Sequence, residues 1–156
     1  MALHFTDTEF ADRKARLLAS MQAANIDALL MFRQESMYWL TGYDTFGYVY
    51  FQSLVLTADG RVVLMTRAPD LRQAQNTSNI ADIRIWVDRD GASPADDLRA
   101  TLDELALAGG RLGVEYEAYG LTGRNAMRLN AALDGFATLV DESEMVSRLR
   151  LVKSAA

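Results

Sequence analysis

Catalysis at neutral pH is usually carried by histidine, paired carboxylates or a thiolate, and this chain is poor in all three. It has one histidine, His4, and no cysteine, so neither a His-based triad nor a multi-histidine metal site can be assembled from it. His4 lies beside the N-terminus, where a side chain reads as solvated. Acids come in adjacent pairs, Asp96 with Asp97 and Asp103 with Glu104. Leu98, Leu102 and Leu105 recur there at helical spacing and mark the buried face, which turns the acids toward water. The run GGRLG at 109–113 precedes a strand, lacks the Lys-Ser/Thr of a phosphate loop and reads as a turn. What stands out is MYWLTGYDTFGYVYF, residues 37–51, which holds half of the chain's Phe, Tyr and Trp residues.

Part of that stretch reads as core: Tyr38 and Trp39 can cover a sheet, and Phe51 can enter the interior as a strand begins. Residues 43–50 are harder to bury. Gly42 and Gly47 bracket a loop in which Asp44 and Thr45 need partners, and Tyr43, Phe46, Tyr48 and Tyr50 cannot all turn inward. Phe46, Tyr48 and Tyr50 share parity, so an extended segment would put all three on one side. An exposed aromatic strip of that kind marks an interface or a ligand wall.

The elements that must position this stretch follow from periodicity and punctuation. Thr6 and Glu9 have capping-box spacing, Phe5 and Phe10 flank them as a hydrophobic staple, and Leu17, Leu18 and Met21 continue the stripe. ALLMF reads as a buried strand and ESMYWLTG as a short helix. YFQSLVLT and RVVLM flank the turn signal ADG, an antiparallel hairpin. A helix near 69–77, the strand IRIWV and a helix opened by Ser93 and Pro94 follow, with Gly109 and Gly110 expected to stop that helix. LGVEY, a helix over 121–132, ATLVD and a helix from 142 complete the alternation. This predicts an α/β three-layer sandwich, a mixed sheet of about six strands with helices on both faces.

Length and composition bound the function. With 156 residues, half of them apolar, one core is the expectation. A formal charge of −5 with scattered Lys and Arg leaves no basic face, so no nucleic-acid partner is expected. No apolar run reaches spanning length and no signal core opens the chain, so no membrane partner and a cytoplasmic location are expected.

Four segments carry a family resemblance: FADRKARLLASMQAANIDALLMF, YWLTGYD, LGVEYE at 112–117 and SRLRLVKSAA at the end. In this order and spacing they resemble the N-terminal domain of the creatinase/prolidase family, which includes Xaa-Pro dipeptidases and Xaa-Pro aminopeptidases. The resemblance implies a domain over 1–141 and, over 142–156, the start of a helix linking it to a C-terminal metallohydrolase domain outside this chain. That second domain would hold two divalent metal ions (Mn, Co or Zn) through Asp, His and Glu and cleave an amide or related C–N bond; no catalytic residue, metal ligand or cofactor is assigned here. The expected partners are the chain's own C-terminal domain, a second subunit in a homodimer, and a small peptide or amide substrate. By the same resemblance Phe46, Tyr48 and Tyr50, with Tyr43 and Asp44, would wall the substrate site or line the dimer interface. Residues 43–53 contain no Arg or Lys, whereas creatinase-like members use an Arg in this loop on the substrate carboxylate. The expected role is therefore a non-catalytic, oligomerising and site-shaping domain of an Xaa-Pro dipeptidase-type enzyme. An ectoine-hydrolase- or creatinase-like amidinohydrolase, and a free-standing α/β binding or dimerisation module, stay open as alternatives.

Overall fold

A computed structural model of the chain describes residues 3–153. Helix α1 (Asp7–Ala23) leads into β1 (Ala28–Met31) and α2 (Gln34–Thr41), and a 3-10 turn over Phe46–Val49 then precedes the hairpin of β2 (Ser53–Thr57) and β3 (Val62–Arg67). A second 3-10 turn (Ala68–Asp70) opens α3 (Leu71–Thr77), followed by β4 (Asp82–Trp86), α4 (Pro94–Glu104), β5 (Arg111–Val114), α5 (Gly123–Leu133), β6 (Thr138–Asp141) and α6 (Met145–Leu151).

Among the described residues six strands form one sheet in the order β4-β3-β2-β1-β5-β6. β1 pairs antiparallel with β2 and parallel with β5, β3 antiparallel with β2 and parallel with β4, and β5 parallel with β6. The expected mixed sheet with a helical layer on each face is what forms. Strand residues alternate between the faces, as period-2 geometry requires. Leu30, Val55 and Val114 face Leu98 and Leu102 of α4 and Leu129 and Leu133 of α5. Leu29, Met31, Leu54 and Leu64 face Leu17 and Met21 of α1, Met37 and Leu40 of α2, and Ala74 of α3. The segment from 142, assigned above to a linking helix, seats Met145 and Val146 of α6 in that second cluster. Among the described residues no helix is long and apolar enough to cross a membrane.

Two local readings need adjustment. Helix α4 ends at Glu104, ahead of the glycine pair: Leu105 caps it, Ala106 takes a φ of 61°, and the Leu107 amide returns to the Leu102 carbonyl at 3.1 Å. Leu105 and Leu107 are both buried, so side-chain packing turns the chain and an alanine accepts the left-handed backbone. On α1, the inward stripe includes Arg13, which is buried because its guanidinium lies 3.9 Å from the Phe5 ring centroid and donates to Glu9 at 2.8 Å and to the Trp39 carbonyl at 2.9 Å.

The start of α1 matches its sequence signals: Thr6 Oγ1 accepts the Glu9 amide at 3.2 Å, and Phe5 meets Phe10 edge-on at 5.9 Å. Thr6→Ala should cost about 1 kcal/mol through loss of this cap. The measurement is a denaturant melt, with the midpoint lowered at unchanged m-value; an unmoved midpoint would show that the hydroxyl does not hold the helix start.

Candidate functional site

The topology sends most of the notable residues to one end of the sheet. Because β2 runs antiparallel to β1 and β3, its first residues lie beside the last residues of both, with Leu54 opposite Met31 and Ser53 opposite Met65. The parallel pairs bring the ends of β4, β5 and β6 to the same edge, with Arg67 opposite Trp86 and Val114 opposite Asp141. Open α/β sheets bind ligands beyond the carboxyl ends of their strands. Here the 43–52 loop, the 67–70 turn and the 115–121 loop converge there.

The aromatic segment is not extended. Phe46–Val49 is a 3-10 turn, so shared parity does not put Phe46, Tyr48 and Tyr50 on one side. They nevertheless remain outward, at 88%, 44% and 45% exposure. Tyr48 packs edge-on against Tyr119 at 6.0 Å, and the Arg67 guanidinium lies 3.5 Å from the Tyr50 ring centroid. The 115–121 loop presses against this segment at Gly120, where a Cβ would overlap the Tyr50 carbonyl oxygen. Tyr48 and Tyr119 line an open cleft of about 450 Å³ together with Arg33, Gln34, Tyr116 and Glu117. Asp44 lies instead on an adjoining cleft of about 430 Å³ with Tyr38, Trp39 and Arg13.

Tyr43 is the correction. It is fully buried and so cannot wall a site or line an interface. Its hydroxyl donates to Gln52 Oε1 at 2.7 Å and lies 3.2 Å from Thr66 Oγ1. Burial pushes the phenol's pKa up, which keeps it a neutral donor. Phe51 is buried against Phe32, as its position suggested, and Asp44 is exposed with its amide on Thr77 Oγ1 at 3.1 Å. His4 is exposed, but its ring Nδ1 is hydrogen-bonded to the Tyr38 hydroxyl. The acids at 96, 97, 103 and 104 face water as read.

Sequence reasoning missed Glu115, Arg33, Arg67 and Tyr119. Glu115 continues the apolar strand β5 and is fully buried; an acid at the end of such a run was the available signal. Its Oε2 accepts the Phe32 and Arg33 amides at 3.1 and 3.0 Å, and its Oε1 accepts the Ser36 hydroxyl at 2.5 Å. Burial raises its pKa to about 7, against the pull of Ser36, of the Arg33 amide and charge, and of the Phe32 amide. The Arg33 side chain donates to the Glu117 carbonyl at 3.1 Å and to Ser147 Oγ, and its guanidinium lies 3.5 Å from the Glu117 carboxylate. Cationic groups thus reach the aromatic loop from outside the 43–53 window. Together these groups offer apolar contact, stacking and charged recognition. Among the described residues no three His, Asp or Glu side chains converge as a metal ion's donor set. The implied metals do not fit these residues.

The family model described as the creatinase/prolidase N-terminal domain matches residues 13–152. An uncharacterized hydrolase/peptidase of Sinorhizobium fredii is 31% identical over 97% of this chain and 40% of its own length. The ectoine hydrolase of Halomonas elongata is 27% identical over 99% of this chain and 40% of its own length. The chain therefore spans well under half the length of either curated relative. The solved structure of an Xaa-Pro aminopeptidase from Streptococcus pyogenes shares the fold with a TM-score of 0.74 at 23% identity, over 93% of this chain and 100% of that chain.

The elevated Glu115 pKa gives a signed prediction. With a folded value of about 7 against an ordinary 4.5, the folded state holds the extra proton between those values. The group's stabilisation is full below about pH 4.5 and is lost as pH rises through about 7, with a slope of at most about 1.4 kcal/mol per pH unit. Glu115→Gln, a neutral side chain of nearly the same shape, should remove that slope in urea melts across this range. A native chain that instead gains stability relative to the variant as pH rises would show that Glu115 is held ionised.

Proposed function

Because the chain belongs to the creatinase/prolidase N-terminal domain family, we propose that it is the non-catalytic N-terminal domain of a dinuclear metal-dependent hydrolase of Xaa-Pro dipeptidase type. Hydrolases and peptidases among its relatives support the hydrolase assignment. The domain's task is oligomerisation and the shaping of the substrate site. Its partners are its own C-terminal domain, a second subunit in a homodimer, and a small peptide or amide substrate. The observation that carries the reading is the aromatic rim: large rings at Phe46, Tyr48, Tyr50 and Tyr119 stay exposed at one sheet end although the chain has ample core to bury rings elsewhere. Exposed aromatics beside arginine are the composition that protein interfaces and their binding hot spots favour.

In such an enzyme two divalent metals would be held by the C-terminal domain, outside this chain, and would supply water activation and polarisation of the scissile carbonyl. This domain's residues contribute contact: Phe46 and Tyr48 present apolar faces, and Arg33 offers charge at the neighbouring cleft. The match to an ectoine hydrolase favours a second reading, in which the same rim faces a cyclic amidine in an amidinohydrolase. Turnover of Ala-Pro against ectoine by the complete enzyme separates the two.

Two outcomes are expected. The 156-residue chain alone hydrolyses neither Gly-Pro nor Ala-Pro and gives no defined manganese or zinc isotherm in calorimetry; micromolar binding at one site, or turnover, would overturn the non-catalytic assignment. Phe46→Ala should change the stability of this chain by under about 0.5 kcal/mol, as an exposed ring does. In the complete enzyme Phe46→Ala and Tyr48→Ala should weaken the dimer or raise KM. A chain that unfolds, or a complete enzyme with unaltered assembly and kinetics, would return these rings to a purely structural role.

A further inference from the structure

The aromatic loop is held by one carboxylate from a distant part of the chain. Asp70 stands at the N-cap position of α3, where an Asp side chain ordinarily accepts an amide of its own helix. It makes no such bond. Only 6% exposed, its carboxylate faces the loop instead. Oδ1 accepts the Thr45 hydroxyl proton at 3.0 Å, and Thr45 Oγ1 in turn accepts the Gly47 amide at 2.9 Å. A hydroxyl has one proton. Because Asp70 takes it, a lone pair is left to point at Gly47, and the direction of the relay is set by the carboxylate.

The other end of the loop is tied to the same group. Asp70 Oδ2 accepts Arg67 Nε at 3.0 Å, and the guanidinium carbon so placed lies 3.5 Å from the Tyr50 ring centroid. Both sides of this ion pair are mostly shielded from water, which keeps the contact strong. Gly47 completes the fit: a Cβ there would lie 2.6 Å from Asp70 Oδ1, so the backbone approaches as closely as only glycine allows. Thr45, Gly47 and Tyr50, on either side of the exposed Phe46 and Tyr48, are thus all referenced to Asp70.

We infer that Asp70, acting through Thr45 and Arg67, is a positioning residue that locks the aromatic rim in one outward conformation before any ligand or subunit arrives. The consequence for recognition rests on the function proposed above. A loop already ordered loses less conformational entropy on binding, so preorganisation of the rim favours affinity without adding contacts.

The test separates the lock from its use. In this chain, Asp70→Asn keeps the size and an acceptor for Thr45 but removes the charge that holds Arg67. Amide hydrogen exchange at Tyr50, whose N–H donates to the Gly47 carbonyl, should accelerate by about ten-fold or more while the amides of β1 and β2 keep their protection, the signature of local opening. Thr45→Val, which leaves the Asp70–Arg67 pair intact, should free Gly47 and leave Tyr50 protected. Loop amides that exchange at the native rate in both variants overturn the inference. Should Asp70→Asn loosen the whole domain, Thr45→Val alone decides on the same readout. In the complete enzyme, Asp70→Asn should raise KM or the dimer Kd by about ten-fold with kcat within about two-fold. A loosened loop with unchanged KM and Kd, when Phe46→Ala alters either, overturns preorganisation as the role of Asp70. If Phe46→Ala also alters neither, it is the reading of the rim as a recognition surface that fails, while the lock itself stands on the exchange data.

Discussion

Helix α2 begins where β1 ends, and the amides of Phe32 and Arg33 exposed by that change of direction are both taken by the buried carboxylate of Glu115, at the end of the adjacent parallel strand. The Ser36 hydroxyl completes the set. Amides at a helix start have no partner within the helix, and leaving them unpaired in an interior costs about 1–3 kcal/mol each. Glu115 therefore fixes where α2 starts relative to the β1–β5 pair. Since α2 leads directly into the 43–52 loop, it also fixes where that loop begins.

From there the loop is secured at successive points by groups from other elements. Tyr43 is sunk beside Gln52 and Thr66, Thr45 and Gly47 close on Asp70, Tyr50 carries Arg67, and Gly120 lets the 115–121 loop lie against the backbone at 48–50. The buried side of the loop is polar and hydrogen-bonded, whereas Phe46, Tyr48 and Tyr119 face out. At Phe46 and Tyr48 this inverts the usual arrangement, in which rings go inward and polar groups to water, whereas the rings of Tyr43 and Phe51 in the same stretch are buried. A surface built that way is suited to contact with another molecule, which is the physical content of the role proposed for this family member.

Charge is distributed to the same end. The chain is acidic overall, yet Arg13, Arg33 and Arg67 all lie around the aromatic segment, each paired with a carboxylate and each set against a ring or a cleft. Paired guanidinium groups hold their planes in fixed orientation and can stack on aromatic faces, which a lysine could not reproduce. The arginines thus serve first as struts, and Arg33 lines the cleft beside Tyr48 and Tyr119.

Local rules were sufficient for the element order, the α1 start at Thr6 with its Phe5–Phe10 contact, the ADG hairpin and the layered α/β class. Each of these depends on residues a few positions apart, or on a periodicity that core packing merely confirms. They failed where a distant partner decided the outcome. α4 stops early because Leu105 and Leu107 are drawn inward, not because of the glycines that follow. Tyr43 is interior because Gln52 and Thr66 can satisfy its hydroxyl. Exposure of Phe46, Tyr48 and Tyr50 was inferred correctly from an extended-strand argument that does not apply, since the segment coils into a 3-10 turn. The sequence by itself determined the layers, the family and the presence of an aromatic loop, because composition and short-range spacing carry that information. Only the tertiary structure decided which rings face outward and what holds them: Asp70, Arg67, Glu115 and Tyr119 come from separate stretches, and only the strand order β4-β3-β2-β1-β5-β6 brings their ends to one edge.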